Sequence, residues 1–139
     1  MKVKDIMTNH VCCVSPEMTL ENASKLMCGA DIGVMPVCDS SGIVGIVTDR
    51  DIITRGISQG FALSEAVARV MTKSVASISP DADIKEAVKL MSEHQVRRLP
   101  VMSGKEIVGM LSGGDLARCG KLDAEVAKAE KGIAEMYKL

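Results

Sequence analysis

Aromatic residues are nearly absent from this chain. Its 139 residues include one Phe, one Tyr and no Trp, which argues against the stacking platforms that hold single-stranded nucleic acid. Neither sign of charge dominates. Seventeen Lys and Arg stand against 18 Asp and Glu, for a formal net charge of −1, so no broad attraction to nucleic acid or acidic lipid is expected. No apolar run is long enough to cross a membrane, and Met1 to His10 lack the apolar stretch of a signal peptide. Histidine is confined to His10 and His94. No Ser-His-Asp order, phosphate-binding Walker loop or zinc-hydrolase helix is present, so no enzyme activity is expected. The cysteines, Cys12, Cys13, Cys28, Cys38 and Cys119, are odd in number and contain no C-x-x-C pair. With no secretory context, they indicate reduced thiols in a cytoplasmic protein.

What the chain does have is a repeat. Residues 5–56 align with 69–120 at a constant offset of 64 without a gap, with 16 identities in 52 positions. Met7-Thr8 returns as Met71-Thr72, Ser15-Pro16 as Ser79-Pro80, Pro36-Val37 as Pro100-Val101, Ile43-Val44-Gly45 as Ile107-Val108-Gly109, and Asp51 as Asp115. Two copies of one unit tend to pack about a pseudo-two-fold axis, which creates two related clefts suited to ligands. One domain of this length buries a sizeable core. With so few rings, the ten Met and the many Val and Ile fill that core and can line an apolar slot.

Each copy carries the same order of signals. Val11–Val14 is a short strand candidate ended by Ser15-Pro16. Thr19 caps a helix whose apolar face is Leu20, Ala23, Leu26 and Met27. In the second copy Asp83 caps Ile84–His94, with Glu86 completing a capping-box pattern. Hairpins follow, Met35–Cys38 with Ile43–Val47 and Leu99–Met102 with Ile107–Leu111. A second helix begins at Asp49 in one copy and at Gly113 in the other. The expected fold is α/β (α+β), two tandem β-α-β-β-α units at 1–62 and 63–120. Leu63–Met71 reads as a lead-in helix for the second copy. Residues 121–139 place Leu122, Val126, Ala129, Ile133 and Met136 on one stripe, an amphipathic tail helix.

The paired Met-Thr and Ser-Pro openings resemble a pair of CBS motifs, the tandem regulatory unit also called a Bateman module. So do the Met35-Pro36-Val37 and Leu99-Pro100-Val101 strands, and Gly45-Ile46-Val47-Thr48-Asp49-Arg50-Asp51 set against Gly109-Met110-Leu111-Ser112-Gly113-Gly114-Asp115. The resemblance covers residues 1 to about 120 and is to a family, carried by order, spacing and duplication. It implies two motifs packed through their sheets, and pairing of modules into a homodimer. It also implies binding of an adenosine nucleotide (AMP, ADP or ATP, with NAD and S-adenosylmethionine less favoured) and regulation of an unidentified partner protein. No cofactor is required on this reading, and neither nucleic acid nor membrane is a partner.

Thr48-x-x-Asp51, echoed by Ser112-x-x-Asp115, is the most informative local pattern. A hydroxyl at a strand-to-helix junction lies beside helix N–H groups that favour phosphate, and an ionised aspartate can accept from both hydroxyls of a ribose. The same spacing is a helix capping box, and the two roles can coexist. The resemblance implies that basic residues just before the Pro-Val strand face phosphates, which selects Arg97 and Arg98, with Arg50 and Arg55 as weaker candidates. Val34 and Met35, with Ser15, Pro16, Ser79 and Pro80, are candidates to line a base slot, because proline ends the local ladder and leaves backbone groups free. Two other readings stand beside this one. One is a homodimeric scaffold without a small-molecule ligand. The other is a metal- or redox-linked module using His10, Cys12 and Cys13.

Overall fold

The computed structural model describes residues 1–73 and 75–119. The tail stripe of 121–139 therefore lies outside the described residues. Helix α1 spans Leu20–Ala30 and is followed by strands β1, Val34–Asp39, and β2, Gly42–Thr48. Helix α2 begins at Asp49–Asp51, widens into a π-helical turn over Ile52–Gly56 and tightens to a 3-10 turn at Ile57–Gln59. The second copy gives α3, Ile84–His94, then β3, Arg98–Ser103, β4, Glu106–Ser112, and α4, Gly113–Arg118.

Local chemistry accounts for these elements. Thr19 accepts from the Asn22 N–H at 3.1 Å and starts α1. Asp83 starts α3 by accepting from the Lys85 N–H at 2.9 Å, one residue short of the bond a capping box with Glu86 requires. Asp31 and Gln95 end these helices in the left-handed region, at φ 54° and 55°. The hairpins pair antiparallel with the same bulge, between Val37 and Cys38 and between Val101 and Met102. Asp39 holds the first turn by accepting from both the N–H and the hydroxyl of Ser41, at 2.8 and 2.6 Å, which keeps its carboxyl below the usual range.

The chain divides into two compact units, and the division does not follow the repeat boundary at 62/63. One unit is Cys12–Val75. The other joins Met1–Val11 to the residues from Ala76 onward. The lead-in segments are exchanged. Val3–Asp5 forms a 3-10 turn tied to the second copy by Val3 N–H to Ala82 O at 2.9 Å and Lys4 N–H to Pro80 O at 3.0 Å. At the equivalent place, the expected lead-in helix over Leu63–Met71 shrinks to a 3-10 turn at Val67–Arg69. It docks on the first copy through Val67 N–H to Met18 O and Ala68 N–H to Pro16 O, at 2.8 and 3.1 Å. A longer helix cannot form there because those N–H groups are taken by a different part of the chain.

Each hairpin is flanked by single bridges rather than by full strands. Val14 pairs parallel with Val37, and Thr72 antiparallel with Ile46. Ile78 and Thr8 do the same for Val101 and Met110. The strand expected at Val11–Val14 is reduced to this one bridge, after which Ser15-Pro16 turns the chain away. In the Cys12–Val75 unit the core includes Val14, Leu20, Ala23, Met27, Met35, Val37, Val47 and Val67. In the other it includes Val3, Ile78, Ile84, Met91, Leu99, Val101, Leu111 and Leu116. Each Val, Leu, Ile or Met among them contributes about 1.5–3 kcal/mol relative to exposure. Val3 and Val67, one lead-in turn each, are wholly buried.

Candidate ligand-binding site

Both Thr/Ser-x-x-Asp patterns form reciprocal capping boxes. The Asp51 N–H donates to Thr48 Oγ1 and the Thr48 N–H to Asp51 Oδ2, both at 3.0 Å. The Asp115 N–H donates to Ser112 Oγ at 3.1 Å and the Ser112 N–H to Asp115 Oδ2 at 2.8 Å. The boxes fix the rotamers of all four side chains at the ends of β2 and β4. One carboxylate oxygen of each aspartate stays outside the box and faces an arginine. Arg55 Nε lies 3.8 Å from Asp51 Oδ1, and Arg118 donates to Asp115 Oδ1. Arg118 was missed in the sequence reading, because its counterpart in the repeat is Thr54 and the arginine of the first copy stands one place later, at Arg55.

The strand that opens each hairpin faces its box. Val34 pairs with Thr48, and Arg98 with Ser112. The Gly113 N–H donates to Arg97 O at 2.9 Å, and the Asp49 N–H to Gly33 O at 3.0 Å. Thus Arg97 and Arg98 stand at the Ser112–Asp115 junction, both exposed and neither in an ion pair among the described residues. Arg50 and Arg55 belong to the other unit, and Arg55 also donates to Val70 O at 3.4 Å.

The remaining sequence candidates fall less directly at these junctions. Met35 is wholly buried in the core. The carbonyls of Pro16 and Pro80 accept from Ala68 and Lys4, and those of Ser15 and Ser79 accept from Met18 and Ala82, at 3.0–3.2 Å. These backbone groups, expected to be free, are engaged by the exchanged lead-ins and by their own turns. Among the described residues no group of three His, Cys, Asp or Glu is placed to hold a metal ion, so His10, Cys12 and Cys13 are not assembled into a metal centre. Desolvation, with Cys38 and then Cys12 close by, pushes the Cys13 thiol up to about 12, although the residue as a whole is exposed. No helix among the described residues is long and apolar enough to cross a membrane.

Two hairpins, each followed by a capped Thr/Ser-x-x-Asp helix start, define a duplicated motif. The family model for the CBS domain matches residues 3–57 and 67–121, and the chain belongs to the CBS domain family as a CBS-domain pair, a regulatory module. It is 39% identical over 115 residues to the CBS domain-containing protein YhcV of Bacillus subtilis, covering 83% of this chain and 82% of that one. It is 38% identical over 117 residues to hypoxic response protein 1 of Mycobacterium tuberculosis, again 83% and 82%. A crystal structure of Hypoxic Response Protein I with two coordinated zinc ions matches at a TM-score of 0.77 and 35% identity, over 85% of this chain and 98% of that one. The CBS domain pair of protein MJ0100, in complex with 5'-methylthioadenosine and S-adenosyl-L-methionine, shares the fold at a TM-score of 0.76 and 23% identity, over 86% and 95%.

Proposed function

We propose that this chain is a regulatory module that binds an adenosine nucleotide of the AMP, ADP or ATP class and transmits its occupancy to a partner protein, acting as a cytoplasmic homodimer. The observation that carries the reading is the junction at Ser112–Asp115. Two exposed arginines, Arg97 and Arg98, stand beside a buried-edge carboxylate whose second oxygen lies outside its capping box. A guanidinium suits a phosphate because its planar fork holds two oxygens at once. A carboxylate oxygen suits a ribose hydroxyl because it only accepts. Arg118 lies on that oxygen and would yield it to the ribose when the ligand enters. The MJ0100 pair, which holds two adenosine-containing molecules, supports the ligand class by analogy of fold alone.

Ligand binding would favour one pre-existing arrangement over another, and a partner would read that shift. The test is a thermal-shift screen of nucleotide-stripped protein with AMP, ADP, ATP, NAD and S-adenosylmethionine. A ligand at a hundredfold excess over its Kd stabilises by about 2.7 kcal/mol. A rise in Tm that Asp115→Ala or Arg97→Ala removes supports the reading. No rise with any of the five transfers the chain to the ligand-free scaffold class.

A further inference from the structure

The two junctions have the same backbone pattern and differ in the charge around it. In the Cys12–Val75 unit the residue that opens α2 is Asp49. Its Oδ1 accepts from the Arg50 N–H at 2.8 Å. Its Oδ2 lies 3.0 Å from the place a Cβ would take on Gly33, so the carboxylate lies against the backbone of the segment entering β1. An acidic oxygen of the chain thus already occupies the backbone N–H that an anionic ligand would seek. At the equivalent positions of the other unit stand Gly113 and Arg97. Gly113 has no carboxylate to offer the following N–H, and Arg97 replaces Gly33.

The neighbouring positions reinforce the contrast. Asp31 and Val34 in the first copy are Gln95 and Arg98 in the second. Both units keep the box aspartate with an arginine on its outer oxygen, so the ribose-accepting part is common to the two. What differs is the part that would meet the ligand's 5' substituent.

We infer that the Cys12–Val75 unit takes an adenosine ligand without phosphate, an uncharged or cationic nucleoside, while the phosphate-bearing nucleotide goes to the Arg97–Asp115 junction, and that Asp49 sets this difference. The inference rests on the adenosine reading above and assigns a ligand class to each of its two junctions. Placed beside Asp49, a phosphate would meet a like charge at short range, and that repulsion is expected to weaken binding about tenfold, which is about 1.4 kcal/mol.

Isothermal titration of nucleotide-stripped full-length protein with adenosine and with AMP tests it. The variants are Asp49→Asn, Asp51→Ala and Asp115→Ala. Asp49→Asn keeps the oxygen that accepts from Arg50 and removes only the charge. Adenosine is expected to fill two sites per chain and AMP one. The AMP site is expected to be lost in Asp115→Ala and kept in Asp51→Ala. Asp49→Asn should add a second AMP site, or strengthen the weak one about tenfold, with adenosine affinity unchanged. AMP filling both sites in the native protein, or an AMP site lost in Asp51→Ala instead, overturns the inference. So does AMP binding that ignores Asp49→Asn. A protein that binds AMP at one site and adenosine at no second site also overturns it while leaving the adenosine reading intact. Binding of neither compound overturns both.

Discussion

The sulfur of Met7 lies 2.6 Å from the point where a side-chain carbon would stand on Gly109, and Met71 stands in the same relation to Gly45, also at 2.6 Å. Two repeated short motifs of the sequence, Met-Thr and Ile-Val-Gly, therefore explain one another. The thioether and the Thr carbonyl of each lead-in sit on a strand that only glycine leaves bare. Thr8 closes on Met110, and Thr72 on Ile46, by paired N–H to O bonds of 2.8–3.0 Å.

Gly109→Ala is accordingly expected to destabilise the protein by about 1–3 kcal/mol, the usual range for overpacking. The added methyl meets the Thr8 backbone oxygen at 2.8 Å as well as the Met7 sulfur. Met7→Ala relieves only the second contact, so the double variant should recover part of the loss. Urea unfolding of the four proteins measures the coupling, expected at or above about 0.5 kcal/mol. Additive effects would disprove the contact.

Much of this was legible in the sequence, and the missing part has a physical reason. The caps at Thr19 and Asp83, the hairpins and the two Thr/Ser-x-x-Asp boxes depend on residues within a few positions of one another, and those can be read directly. The exchange of lead-ins cannot. An alignment shows that Val67 corresponds to Val3, but not which copy each one enters. Backbone groups at Pro16 and Pro80 were expected to be free because proline ends a local ladder, and spacing gives no sign that distant N–H groups, those of Ala68 and Lys4, take the two carbonyls. The Asp49 bond to the Arg50 N–H depends on a single rotamer, which leaves no trace in spacing.

The capping boxes should be separable from ligand binding. Thr48→Ala and Ser112→Ala each remove a hydroxyl that accepts a backbone N–H and should lower stability by about 0.5–2 kcal/mol. Thr48→Ser should restore the first. Thermal unfolding without ligand is the measurement, and no loss in either alanine variant would show that the boxes do not hold the junctions.

Cys13 offers a pH test. Its thiol is raised from 9.0 to about 12 by desolvation and then by its neighbour Cys38, although the residue as a whole is exposed. The folded state thus holds this proton more tightly than the unfolded state. Its contribution to stability is complete below pH 9 and is lost as pH rises from 9.0 toward 12. Alkylation of native Cys13 should be slow at neutral pH and accelerate about tenfold per pH unit well past pH 9. Mass-spectrometric mapping after iodoacetamide pulses reads the rate, and a plateau near pH 9 contradicts a thiol raised by its surroundings.

The amino-terminal segment should behave as part of the core of its unit. Val3 is wholly buried among Ile78, Ile84 and Leu99. Lys4 donates to Asp81 at 3.1 Å, which, with Lys2 nearby, holds that exposed carboxyl below its usual range. Val3→Ala should cost about 1–3 kcal/mol. Amide exchange should accelerate first in α3, β3 and β4, while α1 and β1 keep their protection. Equal loss in both units would refute the assignment of Met1–Val11 to the second.

The exchanged lead-ins also impose an order of assembly during synthesis. Cys12–Val75 is continuous, so everything that unit needs has left the ribosome once residue 75 has emerged. The other unit is discontinuous. Thr8 is made before the continuous unit, yet its partner Met110 arrives roughly a hundred residues later, a long loop to close. Met1–Val11 must therefore stay uncommitted while the middle of the chain folds, and the second unit closes last, around a segment made before that middle. A cut at the repeat boundary would leave each half holding the lead-in that belongs to the other.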